Sequence, residues 1–280
     1  MDIEILIGAD PELFYYDPSA KQFRGAEGII PGTKLEPFKV PKGAIQVDGM
    51  AAEFNIDPAR SREEFIENIR AVRGALAAYR PDYKLLSVPT AKFNPDYFDA
   101  QPAHSKELGC NPDWNAYTGR QNDAPLDRHA IRTGAGHIHI GWTTDADPFD
   151  PVHMEDCRAI IKQLDYYVGA PSLLWDRDKD RRKMYGAAGA FRPKSYGVEY
   201  RTPSNAWLGK DEALAGWVYD RSKAAVLDLI NGEPSKYSIH NSSARQLINS
   251  GTSNLSLVRD YLDSWGVEAP GEAIFSRKAA

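Results

Sequence analysis

Two carboxylates, Asp10 and Glu12, lie two residues apart in segment 8–14, which is otherwise apolar and aromatic. In an extended strand, residues i and i+2 face the same side, so these two acids are predicted to lie next to each other. Like charges this close repel and lose hydration on burial unless a positive charge lies between them. A divalent cation held by carboxylate oxygens is the simplest candidate. The alternative is a strand end that turns into solvent where Pro11 interrupts the ladder.

Three further strand-like segments carry residue types that bind metals or phosphates in an apolar setting. These residues are Asp48 and Glu53 in segment 46–56, His137 and His139 in segment 134–142, and Glu199 and Arg201 in segment 197–203. Each has a structural alternative, namely a turn that begins at Asp48, a hydrogen-bonded histidine, or a cross-strand ion pair. The coincidence of four such segments in one chain favours a metal or phosphate site.

The composition limits the classes of function. With 280 residues, of which 42% are hydrophobic, the chain can build one large domain or two small ones around a sizeable core. The net charge of −5 argues against general binding to nucleic acid or anionic membranes. The apolar runs are too short to cross a bilayer, and the N-terminus lacks the basic start of a signal peptide. Cys110 and Cys157 lie in surroundings that demand no disulfide, so a reduced, cytoplasmic protein is expected.

Cap and turn signals indicate the elements that must position these residues. Ser61 and Glu64 form a capping box ahead of a helix that is predicted to end near Tyr79. Asp150 is predicted to cap a second helix, whose pattern breaks at residues 169–171. Helical patterning returns from about residue 211, with helices predicted at residues 213–230, 244–248 and 255–262.

Two stretches between these helices are candidates for ligand contacts. Residues 90–132 are polar and aromatic without clear periodicity, which is typical of a functional loop or lid; segment 109–115 either contributes to a substrate pocket or is a packed surface turn. In segment 176–194, small residues lie between basic ones, which suits a close approach of the backbone to phosphates. The residues predicted to bind nucleotide phosphates here are Arg192 above all, with Arg182 and Lys194.

Four motifs, GADPE, DGMAAEFN, GHIHIGW and EYRTPS, occur in this order over residues 8–204. In type and order they resemble the motifs of the phage-type COOH–NH2 ligase type 2 (amidoligase) family, within the glutamate–cysteine ligase and glutamine synthetase superfamily. The resemblance implies an α+β fold in one catalytic domain over residues 1–280, with a helical C-terminal portion from about residue 211. Its centre would be a curved, mostly antiparallel sheet with metal sites on the concave face and helices on the convex face.

The resemblance also implies roles for individual residues. The implied metal ligands are Glu12, Asp48 and Glu53 on the acyl-phosphate side, and Asp10, His137 and Glu199 for a metal that bridges ATP phosphates. Arg201 is implied to stabilise the moving phosphoryl group, Glu53 to take part in catalysis, and His139 to lie near the nucleotide phosphates. Because Asp48 and Glu53 are five positions apart, simple alternation does not place both on one face, and a bulge at Gly49 is predicted.

The function implied is ATP-dependent carboxylate–amine ligation through an acyl phosphate, assisted by at least two Mg²⁺ or Mn²⁺ ions. The partners expected are small-molecule or peptide carboxylates and amines, without nucleic acid or membrane, in the cytoplasm (that of the host if the protein is phage-encoded). Which acid and which amine are joined stays open, as does the oligomeric state. The alternatives are a metal-dependent phosphotransferase of the same fold and a non-catalytic protein that binds metal or nucleotide.

Overall fold

The structure, a computed structural model, describes residues 4–107, 113–123, 128–209, 212–232 and 236–271. The strands in these residues are β1 (Leu6–Ala9), β2 (Glu12–Asp17), β3 (Gln22–Arg24), β4 (Phe38–Val40), β5 (Gly43–Asp48), β6 (Ala51–Ile56), β7 (Lys84–Leu86), β8 (Thr90–Lys92), β9 (Trp114–Asn115), β10 (Arg120–Gln121), β11 (Ile131–Thr133), β12 (Ile138–Gly141), β13 (Ala190–Lys194) and β14 (Gly197–Tyr200). The helices are α1 (Arg62–Tyr79), α2 (Pro95–Asp99), α3 (Ala103–Lys106), α4 (Pro151–Leu164), α5 (Ala170–Ser172), α6 (Lys179–Met184), α7 (Glu212–Ile230), α8 (Lys236–Ser250) and α9 (Leu255–Trp265).

The strands form two antiparallel sheets of six strands and a small antiparallel pair. The first sheet has the order β1-β12-β14-β13-β9-β10; the second has the order β3-β2-β6-β5-β4, with β7 also paired to β2. Strands β8 and β11 form the pair. The sheet structure is strongly curled, like half a barrel, and helices accompany it. The predicted α+β fold with a curved, mostly antiparallel sheet is therefore confirmed.

Strand pairing separates an apolar face of the first sheet from a polar one. Ile138 pairs with Tyr200 and Ile140 with Val198, and residues directly opposite each other on antiparallel strands share a face. All four side chains are fully buried, and helix α4 packs against β13 and β14. In the second sheet, α1 packs against β5 and β6. Because the helices cover the apolar side chains, the polar side chains of β12 and β14 are left to face the opposite side.

The helix starts follow the cap signals. Ser61 Oγ accepts a hydrogen bond from the Glu64 amide, while the Glu64 carboxylate accepts one from the Arg60 amide. Helix α1 ends at Tyr79, as predicted. Asp150 Oδ1 accepts hydrogen bonds from the amides of the first turn of α4. None of the described helices is both long and apolar enough to cross a membrane.

The predicted helix break at residues 169–171 is wrong. The chain instead continues from α4 through a π-helical turn, Asp165–Gly169, into α5. In an α-helix the ring of Pro171 would clash with the carbonyl four residues earlier, and the wider π turn relieves this conflict. Gly169 also meets a packing demand, because a Cβ there would lie 2.4 Å from the Tyr200 hydroxyl oxygen.

The stretch 90–132 contains short elements rather than one long loop. Helices α2 and α3 and strands β8 to β11 lie in it, each of two to five residues, which is too short to leave a periodic pattern. A small apolar cluster under it includes Phe14, Met50, Phe93 and Phe98. Residues 108–112 and 124–127 lie outside the described residues, so the predicted pocket segment 109–115 is described only from Asp113 onward.

Candidate functional site

The chain changes sheet at Asp10 and Pro11. Strand β1 ends at Ala9 and pairs with β12, whereas β2 begins at Glu12 and pairs with β6. Asp10 and Glu12 therefore do not project side by side from one strand, and that prediction is wrong. Pro11 lacks the amide that a continuous ladder needs, so the strand breaks there. As a result, Asp10 faces the histidine strand and Glu12 faces Glu53, which is its direct partner on β6.

A tight hairpin places Asp48 and Glu53 on one sheet face. The register between β5 and β6 is continuous from Gly43 opposite Ile56 to Asp48 opposite Ala51, so the predicted bulge at Gly49 is wrong. The turn at Gly49, where φ is +56°, reverses the chain instead. Glu53 lies opposite Gln46, and Gln46 shares a face with Asp48, which is two residues further along β5. The hairpin register, without a bulge, therefore brings Asp48 and Glu53 to the same face of the sheet.

The glycines of the histidine motif allow other motif segments to pack closely. The Ala135 amide donates to Glu12 Oε2 at 2.9 Å, and the Glu12 amide donates to the Ala135 carbonyl at the same distance. A Cβ on Gly136 would lie 2.2 Å from the Ser204 carbonyl oxygen. The Asn205 side chain donates to the Glu12 carbonyl oxygen. The first, third and fourth motifs thus hold one another by direct contacts.

Asp10, His137 and Glu199 form the centre of the site. One ligand atom from each residue lies within 4.8 Å of the others, the only such group of three in the described part of the chain. His137 Nδ1 is 3.2 Å from Asp10 Oδ1 and 3.3 Å from Glu199 Oε1. His139 Nε2 lies 3.1 Å from the same Asp10 oxygen. These oxygen and nitrogen donors suit a divalent cation.

Arg201 lies against this centre and has a partner that sequence reasoning missed. Its Nη1 donates to Glu199 Oε1, and its Nε contacts Asp113 Oδ1. Arg201 and Asp113 are both buried, at 4% and 8% exposure. Asp113 lies in the predicted pocket segment, but no spacing signal linked it to Arg201, since the two residues are far apart in sequence.

Burial and nearby charges shift the pKa values of the site residues in opposite directions. Burial raises the pKa of Glu12 to about 7, and the charge of Asp48 adds to this rise. Burial and the charges of neighbouring carboxylates also raise the pKa of Glu53. Although burial acts to raise the pKa of Glu199 as well, the Arg201 guanidinium holds it below its ordinary value. Burial and Arg201 lower the pKa of His137, which favours the neutral imidazole that metals require.

The second predicted ligand set is more loosely arranged. Glu12, Asp48 and Glu53 do not form a group as tight as the first among the described residues. Lys34 Nζ lies 2.8 Å from Asp48 Oδ2, and Gln46 Nε2 donates to Glu53 Oε2 at 2.8 Å. Gln46 could have been found by its alternation with Asp48, whereas Lys34 lies in a loop that carries no such signal.

A cleft with a volume of about 800 Å³ opens beside these residues. Asp10, Glu53 and His139 border it together with Lys34 and Lys194. A volume of this order suits a ligand of nucleotide size. A void of about 20 Å³ lies on the other side of the centre, lined by residues that include Glu12, Asp113, His137 and Arg201.

The residues predicted to bind nucleotide are not all brought to this cleft. Lys194 Nζ lies 2.7 Å from Glu199 Oε2, and Arg192 Nη1 lies 3.8 Å from the same oxygen. The ring of His139 stacks on that of Tyr196, with ring centres 5.9 Å apart, and contacts its hydroxyl. Tyr196 borders the cleft and was missed, because it lies in a turn without a pattern.

Arg182 is held elsewhere. Its Nη2 is 3.4 Å from Asp176 Oδ2 and 3.5 Å from Ser172 Oγ, and the side chain is buried. The nearby small residues serve protein packing, because a Cβ on Gly186 would lie 2.1 Å from Arg181 Nη1 and one on Gly189 would lie 2.6 Å from the Tyr117 ring. The structure therefore places Arg182 in a buried ion pair and not among the residues that border the cleft.

Residues 125–224 match the phage phiEco32-like COOH–NH2 ligase type 2 family. The matched segment contains the GHIHIGW and EYRTPS motifs, so over these residues the match agrees with the resemblance seen in the motifs. The match supports an enzyme of the carboxylate–amine ligase class in general. No curated protein sequence matches the chain.

Proposed function

We propose that the protein is an ATP-dependent carboxylate–amine ligase that forms an amide through an acyl phosphate, assisted by two divalent metal ions. The observation that carries this proposal is the convergence of Asp10, His137 and Glu199 within 4.8 Å, directly beside Arg201. Asp10 of this cluster borders a cleft large enough for a nucleotide, and residues 125–224 match a COOH–NH2 ligase family.

The residues present fit a metal. Asp10 Oδ1 is fully buried, and imidazole nitrogens of His137 and His139 lie 3.2 and 3.1 Å from it, so one carboxylate oxygen and two ring nitrogens converge there. Asp10, His137 and Glu199 would hold one ion, and Glu12, Asp48 and Glu53 would hold the second. When bound, Mg²⁺ or Mn²⁺ would neutralise phosphate charge and align the phosphate oxygens. The high pKa values of Glu12 and Glu53 support this assignment, because a cation would offset the charge that burial disfavours.

The reaction proposed has two steps. A carboxylate oxygen of the first substrate attacks the γ-phosphorus of ATP, and the bond from that phosphorus to the bridging oxygen breaks, which releases ADP. The amine nitrogen of the second substrate then attacks the acyl carbon. The carbon–oxygen bond breaks, inorganic phosphate leaves, and the nitrogen loses a proton. The substrates would be a small-molecule or peptide carboxylate and amine.

The side chains supply charge where the reaction needs it. Arg201 donates hydrogen bonds to the phosphoryl oxygens during transfer, a role in which arginine contributes about 10³ or more to rate in other phosphoryl-transfer enzymes. Lys194 and His139, which border the cleft, would contact the nucleotide phosphates together with Arg192, whose Nη1 lies 3.8 Å from Glu199 Oε2. Glu53, which lies opposite Glu12, would help to hold the second ion.

Metal affinity is the first test. We expect a Mn²⁺ titration, monitored by electron paramagnetic resonance, to show that His137→Ala lowers Mn²⁺ affinity by at least about tenfold. Even residues that only hydrogen-bond to a metal ligand lower metal affinity by about this factor when they are removed. His104→Ala, which changes an exposed histidine, is the matched control and should bind as the wild type does. Equal affinity in the two variants would remove the metal centre from the proposal.

Activity is the second test. With Mg²⁺ and ATP, ADP release should require a carboxylate and reach full turnover only when an amine is added. Phosphoryl transfer to an acceptor without amide formation would identify a phosphotransferase instead. A protein that binds metal or nucleotide but releases no ADP across a panel of carboxylates and amines would be the non-catalytic alternative.

A further inference from the structure

A buried carboxylate lies outside the site described so far. Asp165 has no exposed surface and begins the π-helical turn that follows α4. Three hydroxyl groups surround it: those of Tyr200 at 2.6 Å and Tyr117 at 3.0 Å donate hydrogen bonds to it, and that of Thr202 lies 3.2 Å away and shares its proton with another acceptor. None of the reaction steps above uses it.

Two of these hydroxyls flank Arg201 in sequence. Tyr200 precedes Arg201 at the end of β14 and points to the apolar face, while Arg201 points toward Glu199 on the other face. Thr202 follows Arg201 directly; its hydroxyl is also 2.9 Å from the Ala187 carbonyl oxygen. Asp165 therefore contacts the side chains of the residues immediately before and after Arg201, from the apolar face of the sheet.

The third hydroxyl belongs to the segment that carries the partner of Arg201. Tyr117 lies four residues after Asp113, and strand β9 between them pairs with β13. The amide of Ala116, next to Tyr117, donates to the Gly189 carbonyl, which fixes this end of the segment. Both halves of the contact between Arg201 and Asp113 are thus tied to one carboxylate.

We propose that Asp165 is a positioning residue that keeps Arg201 and Asp113 aligned for the phosphoryl group, an inference that rests on the proposed ligase function. The geometry of the helix permits this role, because the wide π turn and the lack of a side chain at Gly169 leave room for the Tyr200 hydroxyl beside Asp165. Burial raises the pKa of Asp165 to about 6 in spite of the three hydroxyl donors. Burial therefore disfavours the ionised form of Asp165, whereas a neutral side chain of the same size would carry no such penalty.

The test compares two nucleotides that differ in the γ-phosphate. Isothermal titration with Mg²⁺ gives the affinities for ADP and for the non-hydrolysable analogue AMP-PNP, and their ratio reports the contact of Arg201 with the terminal phosphate. In Asp165→Asn, which keeps the shape of the side chain, we expect the ratio of AMP-PNP affinity to ADP affinity to fall about tenfold. This is the size of effect seen when a residue that orients a binding side chain through a hydrogen bond is replaced. ADP affinity and Mn²⁺ affinity should stay within about twofold, which a general loss of structure would not allow.

Two further variants keep the inference falsifiable. Tyr117→Phe removes one hydroxyl and should lower the preference in the same direction by less, even if Asp165→Asn fails to fold. Tyr166→Phe is the matched control: it removes a buried hydroxyl from the same π turn, one that donates to the Trp265 carbonyl and not to Asp165. This control should keep the wild-type preference.

The outcomes separate this inference from the proposed function. Arg201→Lys should abolish the preference if the ligase proposal holds. If Arg201→Lys abolishes it while Asp165→Asn and Tyr117→Phe leave it unchanged, Asp165 has only a structural role and the inference fails alone. If the wild type binds neither nucleotide, or Arg201→Lys keeps the preference, the proposed function fails and this inference fails with it.

Discussion

Replacing Glu12 by Gln should stabilise the metal-free protein at alkaline pH. Glu12 is half-buried at the start of β2, directly opposite Glu53. Its Oε2 accepts a hydrogen bond from the Ala135 amide, and the amide oxygen of glutamine can keep that bond. The substitution therefore removes the charge and leaves the shape and the main hydrogen bond in place.

The size of the effect follows from the pKa. Burial, together with the charge of Asp48, raises the pKa of Glu12 from 4.5 to about 7. Each tenfold change in the acid dissociation constant is worth about 1.4 kcal/mol, so ionised Glu12 costs the folded state at most about 3.5 kcal/mol. The folded state binds more protons than the unfolded state between these two pKa values. Stability therefore falls as pH rises through this window, and the full cost is present above pH 7.

Urea unfolding in EDTA at two pH values measures this cost. We expect Glu12→Gln to be more stable than the wild type by about 2–3 kcal/mol at about pH 8, and by less than about 1 kcal/mol at about pH 5. Glu67→Gln is the control, because the side chain of Glu67 is 60% exposed, and it should change stability by less than about 0.5 kcal/mol at either pH. The same pH dependence in Glu12→Gln and the wild type would refute the reasoning, as would a destabilised variant at pH 8.

Smaller changes test how the motifs are packed. Gly136→Ala should lose more than about 2 kcal/mol in urea unfolding, because its Cβ would lie 2.2 Å from the Ser204 carbonyl oxygen. Gly141→Ala should unfold as the wild type does within about 0.5 kcal/mol, since its Cβ would meet no atom nearer than 3.6 Å, and a large loss would contradict this account. Asp150→Ala should cost about 1 kcal/mol through the lost cap of α4, which thermal unfolding would detect as a lower Tm.

Local signals predicted the helices well where a cap and a period agree. Helix α1 begins after Ser61 and ends at Tyr79, because both the capping box and the approach of Pro81 act within a few residues. Around Gly169 the same local rules failed. The π turn accommodates Pro171 and leaves room for the Tyr200 hydroxyl beside Asp165, a contact between residues too far apart in sequence for a local pattern to reveal.

Strand alternation predicted faces but not pairings. It placed the two histidines on one side of their segment, as their shared contact with Asp10 confirms, because side-chain direction in a strand depends only on position. It failed at Pro11, where the chain moves from one sheet to the other, and at Gly49, where a hairpin replaces the predicted bulge. Which strand lies beside which is decided by the packing of the whole sheet.

The sequence by itself determined the fold class, the residue types available for chemistry and, in the segments that carry the histidines and Glu199, the face on which those residues lie. Only the tertiary structure decided that Asp10, His137 and Glu199 meet, that Asp113 contacts Arg201, and that Arg182 is buried beside Asp176. The reason is physical: propensity, capping and alternation act between near neighbours in the chain. Contacts between residues far apart in sequence depend on how curled sheets and helices bury their apolar faces together.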